Sequence, residues 1–101
     1  MNVQLPAVGF LRQRHILGDL SADPPIIPIL PLRKSKFRAD IQAGLFVPPV
    51  KLGARASGWL TSEVRALCDA IAAGATDDDR RPLVRRLVAA RRGTIDNRAP
   101  K

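Results

Sequence analysis

Arg33, Lys34, Lys36 and Arg38 crowd into one short run with Ser35 among them, and Lys51 and Arg55 follow beyond a glycine and two prolines. Between positions 32 and 59 these six cations face a single acid, Asp40. Such a density of positive charge suits a polyanion. Guanidinium forks can take guanine O6 and N7, while ammonium groups and a serine hydroxyl can take phosphate oxygens. The run at 33–43 reads as a basic helix and VKLGARASGWL as a basic hairpin. A helix beside a hairpin fits a groove with two flanking backbones. Double-stranded DNA is therefore the expected partner, with Arg33, Lys34, Ser35, Lys36, Arg38, Lys51 and Arg55 as the candidate contacts. The plainer alternative is a solvated basic face, with Lys51 and Arg55 only keeping an edge strand soluble.

Other chemistry finds little support. The chain has no tyrosine, one histidine and one cysteine. It holds no Gly-rich phosphate loop, nucleophile elbow or paired histidine ligands, so no catalytic residue is expected and the chain does not read as an enzyme. His15 reads as a surface or helix-packing residue. Cys68 falls on an apolar stripe and reads as an inert thiol, with neither a disulfide nor a cysteine zinc site open to it. Asp77, Asp78 and Asp79 complement the positive end of a helix rather than bind a metal. No cofactor and no metal are expected. No apolar run approaches the roughly 20 residues that span a bilayer, and the N-terminus lacks a secretory pattern. A cytoplasmic protein without membrane contact is the expectation.

The basic residues need elements to hold them. With 101 residues and a net charge of +8, one domain is the natural reading. Residues 1–9 form an arm. Residues 10–20 suit a short helix, with Leu11, Ile16 and Leu20 on one side and Arg12 and Arg14 nearer the other. Pro24, Pro25, Pro28 and Pro31 forbid a helix across the next stretch. Ile26, Ile27, Ile29 and Leu30 are too apolar for a solvated linker and should reach the core. In the basic helix Phe37 and Ile41 face inward, and Gly44 ends it. Trp59, on the return strand of the hairpin, reads as a core anchor. Thr61 is the expected N-cap of a third helix whose stripe is Val64, Leu67, Cys68 and Ile71. Thr76 caps a fourth, C-terminal helix at 76–92, and residues 93–101 read as a disordered tail.

The run KSKFRADIQAG, then LF, PVKLG, ARASGW and SEV before an apolar stripe, resembles the AlpA family of small phage and prophage regulators. That family is similar to the excisionases and to the DNA-binding domains of MerR-type regulators. The resemblance covers residues 10–71. It implies a mainly α fold with a small β-hairpin, a winged helix-turn-helix over 10–75, to which the C-terminal helix is an addition. It makes Arg33 to Arg38 the opening of a recognition helix for the major groove, Lys51 and Arg55 part of the wing, and Trp59 its packing anchor. Arg33 stands where the family usually has a capping serine or threonine, Asp40 where a small or apolar residue is common, and the proline-rich insert lengthens the usual turn.

The implied function is sequence-specific transcriptional regulation in a phage or integrated element. One alternative is an excisionase that positions an integrase or other recombinase, and another is a basic RNA-binding or scaffold protein. The C-terminal helix lies outside the resemblance. Its stripe of Leu83, Val84, Leu87 and Val88 must cover its own domain or meet a second copy, and a homodimer through this helix is expected, on DNA if not free. Its arginines offer either a second phosphate-binding surface or a solvated helix face.

Overall fold

A computed structural model describes residues 9–98, with side chains through Arg92. The expected arm, apart from Gly9, lies outside the described residues. In chain order the elements are β1 (Phe10–Leu11), α1 (Gln13–Leu17), α2 (Lys34–Gln42), β2 (Val50–Lys51), β3 (Ser57–Leu60), α3 (Thr61–Ala72) and α4 (Asp77–Arg98). Among the described residues this is a mixed α/β fold of four helices and a three-stranded antiparallel sheet. None of these helices is long and apolar enough to cross a membrane.

The sheet order is β1-β3-β2. Val50 faces Gly58 and Lys51 faces Ser57 in the expected hairpin, while Phe10 faces Leu60 and Leu11 faces Trp59 on the other edge. The first strand corrects the helix expected over 10–20. A central strand needs partners for its N–H and C=O groups on both edges, and β1 supplies the second. Burial then alternates as a strand requires, with Leu11 buried and Phe10 45% exposed. Gly58 lets the outer strands close over β3, because a Cβ there would stand 2.9 Å from Leu52 and 3.2 Å from Phe10.

What remains of the first helix is one turn and a half. Gly18 stops it at φ 84, and a side chain there would collide with Pro28 at 2.8 Å. Leu20 lies past that stop and is 72% exposed, not on the core side. The proline-rich segment is pinned rather than loose. Asp19 and Ile26 exchange backbone hydrogen bonds of 2.8 and 2.9 Å, and the Ile29 and Leu30 N–H groups both donate to the Ile16 carbonyl at 2.9 Å. Ile29 and Leu30 therefore pack on the core as expected. Ile27 does not: it follows half-buried Ile26 and is itself 69% exposed.

The core centres on Phe37, Phe46 and Trp59. The Phe37 ring lies 5.1 Å from Phe46, edge-on, and 5.4 Å from Trp59. The Trp59 indole N–H donates to the Val47 carbonyl at 3.0 Å, so its one polar atom is satisfied inside. Ile16, Val47, Val64 and Leu67 are fully buried around them. Cys68 packs partly against it, and burial pushes its thiol pKa up, with Asp69 adding to the shift.

Thr61 does not cap α3. Strand β3 runs straight into the helix, Leu60 holds the cap position, and Thr61 is its first helical residue. The Thr61 N–H instead donates to Gly9 at 3.0 Å, and its hydroxyl is buried without a hydrogen-bond partner. Thr76 does cap α4: its hydroxyl accepts from the Asp79 N–H at 3.2 Å, and the Asp79 carboxylate accepts from the Thr76 N–H at 2.9 Å. These bonds hold the Asp79 carboxyl below the usual carboxylate range, the backbone bond to Thr76 contributing most.

Helix α4 does not end at Arg92 but continues to Arg98, through part of the expected tail. Gly93 costs about 1 kcal/mol relative to alanine, which a helix already propagating can absorb. Its apolar stripe packs on the chain's own core, with Val84 buried and Leu83, Leu87 and Val88 half-buried against it. A second copy is therefore not needed to cover that face.

Candidate nucleic-acid interface

Helix α2 positions most of the candidate residues. A tight turn at Pro31 precedes it, closed by the Leu32 N–H donating to the Leu30 carbonyl at 2.8 Å. Arg33 holds the N-cap with φ −85 and ψ 160, and no side chain caps the helix there. The first intrahelical bond runs from the Phe37 N–H to the Arg33 carbonyl at 2.9 Å. The first-turn N–H groups thus lack side-chain partners, at the positive end of the helix dipole and with no acid nearby in the turn. Phe37 is fully buried and Ile41 packs on the core, which leaves Lys34, Ser35, Lys36 and Arg38 exposed. Gly44, at φ 78, ends the helix as expected.

Helix α1 starts in the same manner. Arg12 is its N-cap, extended at ψ 163, and its first turn also lacks an acid. The Arg12 N–H donates to His15 Nδ1 at 3.1 Å, so the lone histidine serves the start of the helix. Between the two helix starts lies an open groove of about 940 Å³, with Arg12 and Arg14 on one side and Arg33 and Lys34 on the other. Its one acid, Asp19, is engaged locally by the N–H and hydroxyl of Ser21. The Ser21 hydroxyl is the main reason the Asp19 carboxyl is held below its ordinary range, and Arg14 adds to it. Four cations line one groove and the N-terminus of α2 opens on it, an arrangement whose chemistry suits the oxygens of a polyanion.

The candidates do not behave as one set. Arg33 and Lys34 line the groove, and Arg38 lies one turn along α2 from Lys34. Lys36 is committed elsewhere, with its ammonium 2.9 Å from the Asp40 carboxylate. Lys51 and Arg55 are exposed on β2 and in the hairpin loop, and neither lines the groove. The Lys51 ammonium reaches the Ala54 carbonyl of its own hairpin at 3.5 Å. Sequence reasoning assigned no role to Arg12 and Arg14. The available signal was the RQR triplet at the start of a helix, which becomes legible only once α1 is known to begin at position 13.

The arginines of α4 divide as sharply. Arg80 donates to the Leu45 carbonyl at 3.0 Å and Arg81 to the Ala43 carbonyl at 3.1 Å, supplying donors to carbonyls at the end of α2. Arg91 grips both oxygens of buried Glu63, at 2.9 and 2.6 Å, and the Pro48 carbonyl at 2.9 Å. These three are internal fasteners. Arg85, Arg86 and Arg92 are exposed. Among the described residues no cluster of histidine, cysteine and acidic side chains could hold a metal ion. No protein-family model, curated protein or solved structure matches the chain.

Proposed function

We propose that this protein binds double-stranded DNA as a winged helix-turn-helix and regulates genes of a phage or integrated element. The observation that carries the reading is the groove where Arg12, Arg14, Arg33 and Lys34 meet at the starts of α1 and α2. Helix α2 enters the major groove with its N-terminal turns, and the groove between the helices receives a phosphate backbone. The β2–β3 hairpin is the wing, and Lys51 and Arg55 lie against the neighbouring backbone. The third strand supports this assignment, because pairing β1 with β3 ties the hairpin to the start of α1 and so to the groove. The resemblance of residues 10–71 to AlpA-type regulators points the same way and supplies the regulatory role.

Binding of a duplex measured over a range of salt concentrations tests the reading. Each phosphate neutralised lowers log K by about 0.9 per decade of salt, and the expected slope is about −3 to −6. A flat response contradicts duplex binding. Equal affinity for a duplex and for a structured RNA, with no preferred duplex sequence, would favour a basic RNA-binding or scaffold protein instead. Replacing Lys51 with alanine should weaken all duplexes about equally, as a backbone contact must.

A further inference from the structure

Helix α2 carries its charge on two opposed flanks. Successive residues turn about 100° around the helix axis, so Lys34 and Arg38 lie close together on one flank and Lys36 emerges about 160° away from Lys34. The Lys34 flank borders the groove with Arg12, Arg14 and Arg33. The Lys36 flank faces α4. There Lys36 meets Asp40 at 2.9 Å and Arg80 of α4 reaches the same carboxylate at 3.7 Å. Asp40 is the acid that departs from the small or apolar residue expected at its position.

Burial explains why Lys36 stays. The Asp40 side chain is only 6% exposed, whereas that of Lys36 is 62% exposed. A buried carboxylate requires a cation close by, and Lys36 is nearer than Arg80. Moving Lys36 to a phosphate would leave the carboxylate with Arg80 alone at 3.7 Å. We infer that the part of the duplex-contacting surface formed by the starts of α1 and α2 consists of Arg12, Arg14, Arg33, Lys34 and Arg38, and that Lys36 belongs with Asp40 and Arg80 to a brace that fixes α4 against the opposite flank of α2. The partner is duplex phosphate, so the inference rests on the proposed function and specifies which side of α2 turns to the DNA.

The test compares Lys36→Met with Lys34→Met in the full chain, reading both the salt slope of duplex binding and the thermal midpoint. Lys34→Met should flatten the slope by about 0.9 and leave the midpoint unchanged. Lys36→Met should leave the slope unchanged and lower the midpoint. Should Lys36→Met fail to fold, the double variant Lys36→Met/Asp40→Asn removes both charges together and should keep the wild-type slope. A slope flattened by about 0.9 in either Lys36 variant overturns the inference, as does a Lys36→Met protein with an unchanged midpoint. Both results leave duplex binding itself intact. Absence of salt-dependent duplex binding by the wild type overturns the inference and the proposed function together.

Discussion

Helices α2 and α4 are both rich in cations, yet the surroundings put those charges to different uses. In α4, Arg80, Arg81 and Arg91 point inward to carbonyls and carboxylates of α2, α3 and the segments between them. In α2, Arg33, Lys34 and Arg38 have no ion-pair partner among the described residues. The difference is geometric. The apolar stripe of α4 carries three arginines at its margins down onto polar atoms that need donors, whereas the inward face of α2, Phe37 and Ile41 beside the buried carboxylate of Asp40, draws in only Lys36 of its own cations. A count of positive charge therefore says little about a polyanion surface until the cations already engaged inside the fold are subtracted.

The largest effect should come from breaking the α4 side of this contrast. Arg91→Ala strands the Glu63 carboxylate, which is 6% exposed, and should cost about 3 kcal/mol, at the lower end for a buried pair because Arg91 itself is partly wet. Urea denaturation would measure it, and duplex affinity per folded molecule should stay unchanged. A loss below about 0.5 kcal/mol, the range of ordinary surface changes, would remove Arg91 from the set of fasteners.

On the α2 side, Lys34→Ala should weaken duplex binding and flatten its salt slope by about 0.9, while stability moves by less than about 0.5 kcal/mol. A gel-shift titration beside a melting curve would expose the opposite pattern.

Smaller still is the N-cap of α4. Thr76→Ala should cost about 1 kcal/mol of stability. The same cap sets a weak pH dependence. The carboxyl of Asp79 titrates below its ordinary 3.8 in the folded chain, so its contribution is full above that value and fades as pH falls through the lowered one. Acid titration of Asp79→Asn should lack this component, and an identical acid limb in both proteins would show that the cap does not contribute.

Local pattern made much of the fold legible. Phe37, Ile41 and Gly44 marked α2, Trp59 marked the core, the Thr76 cap marked α4, and Val50, Lys51 and Trp59 marked the hairpin. What escaped depended on tertiary pairing. Phe10 and Leu11 fit a helix and a strand equally well until β3 offers an open edge, and Thr61 looks like a cap until β3 runs into α3 without a loop. Of the cations that line the groove, Arg33 and Lys34 are legible from their density in sequence. Arg12 and Arg14 are not, because their nearness to α2 arises only when the pinned proline segment brings α1 back beside it. The pairing of Lys36 with Asp40 is less legible, because the burial of Asp40 that holds it cannot be read from spacing alone.

In the proposed function the groove between α1 and α2, and not the outer face of α4, receives the polyanion. The salt slope of duplex binding by Arg12→Ala/Arg33→Ala, set against that of Arg85→Ala/Arg86→Ala, tests it most directly. Every phosphate left without its cation should flatten the slope by about 0.9, so the groove variant should fall short of the wild-type slope by about 1.8 and the α4 variant should match the wild type. A groove variant with an unchanged slope, or an α4 variant that falls short by as much, would contradict the account.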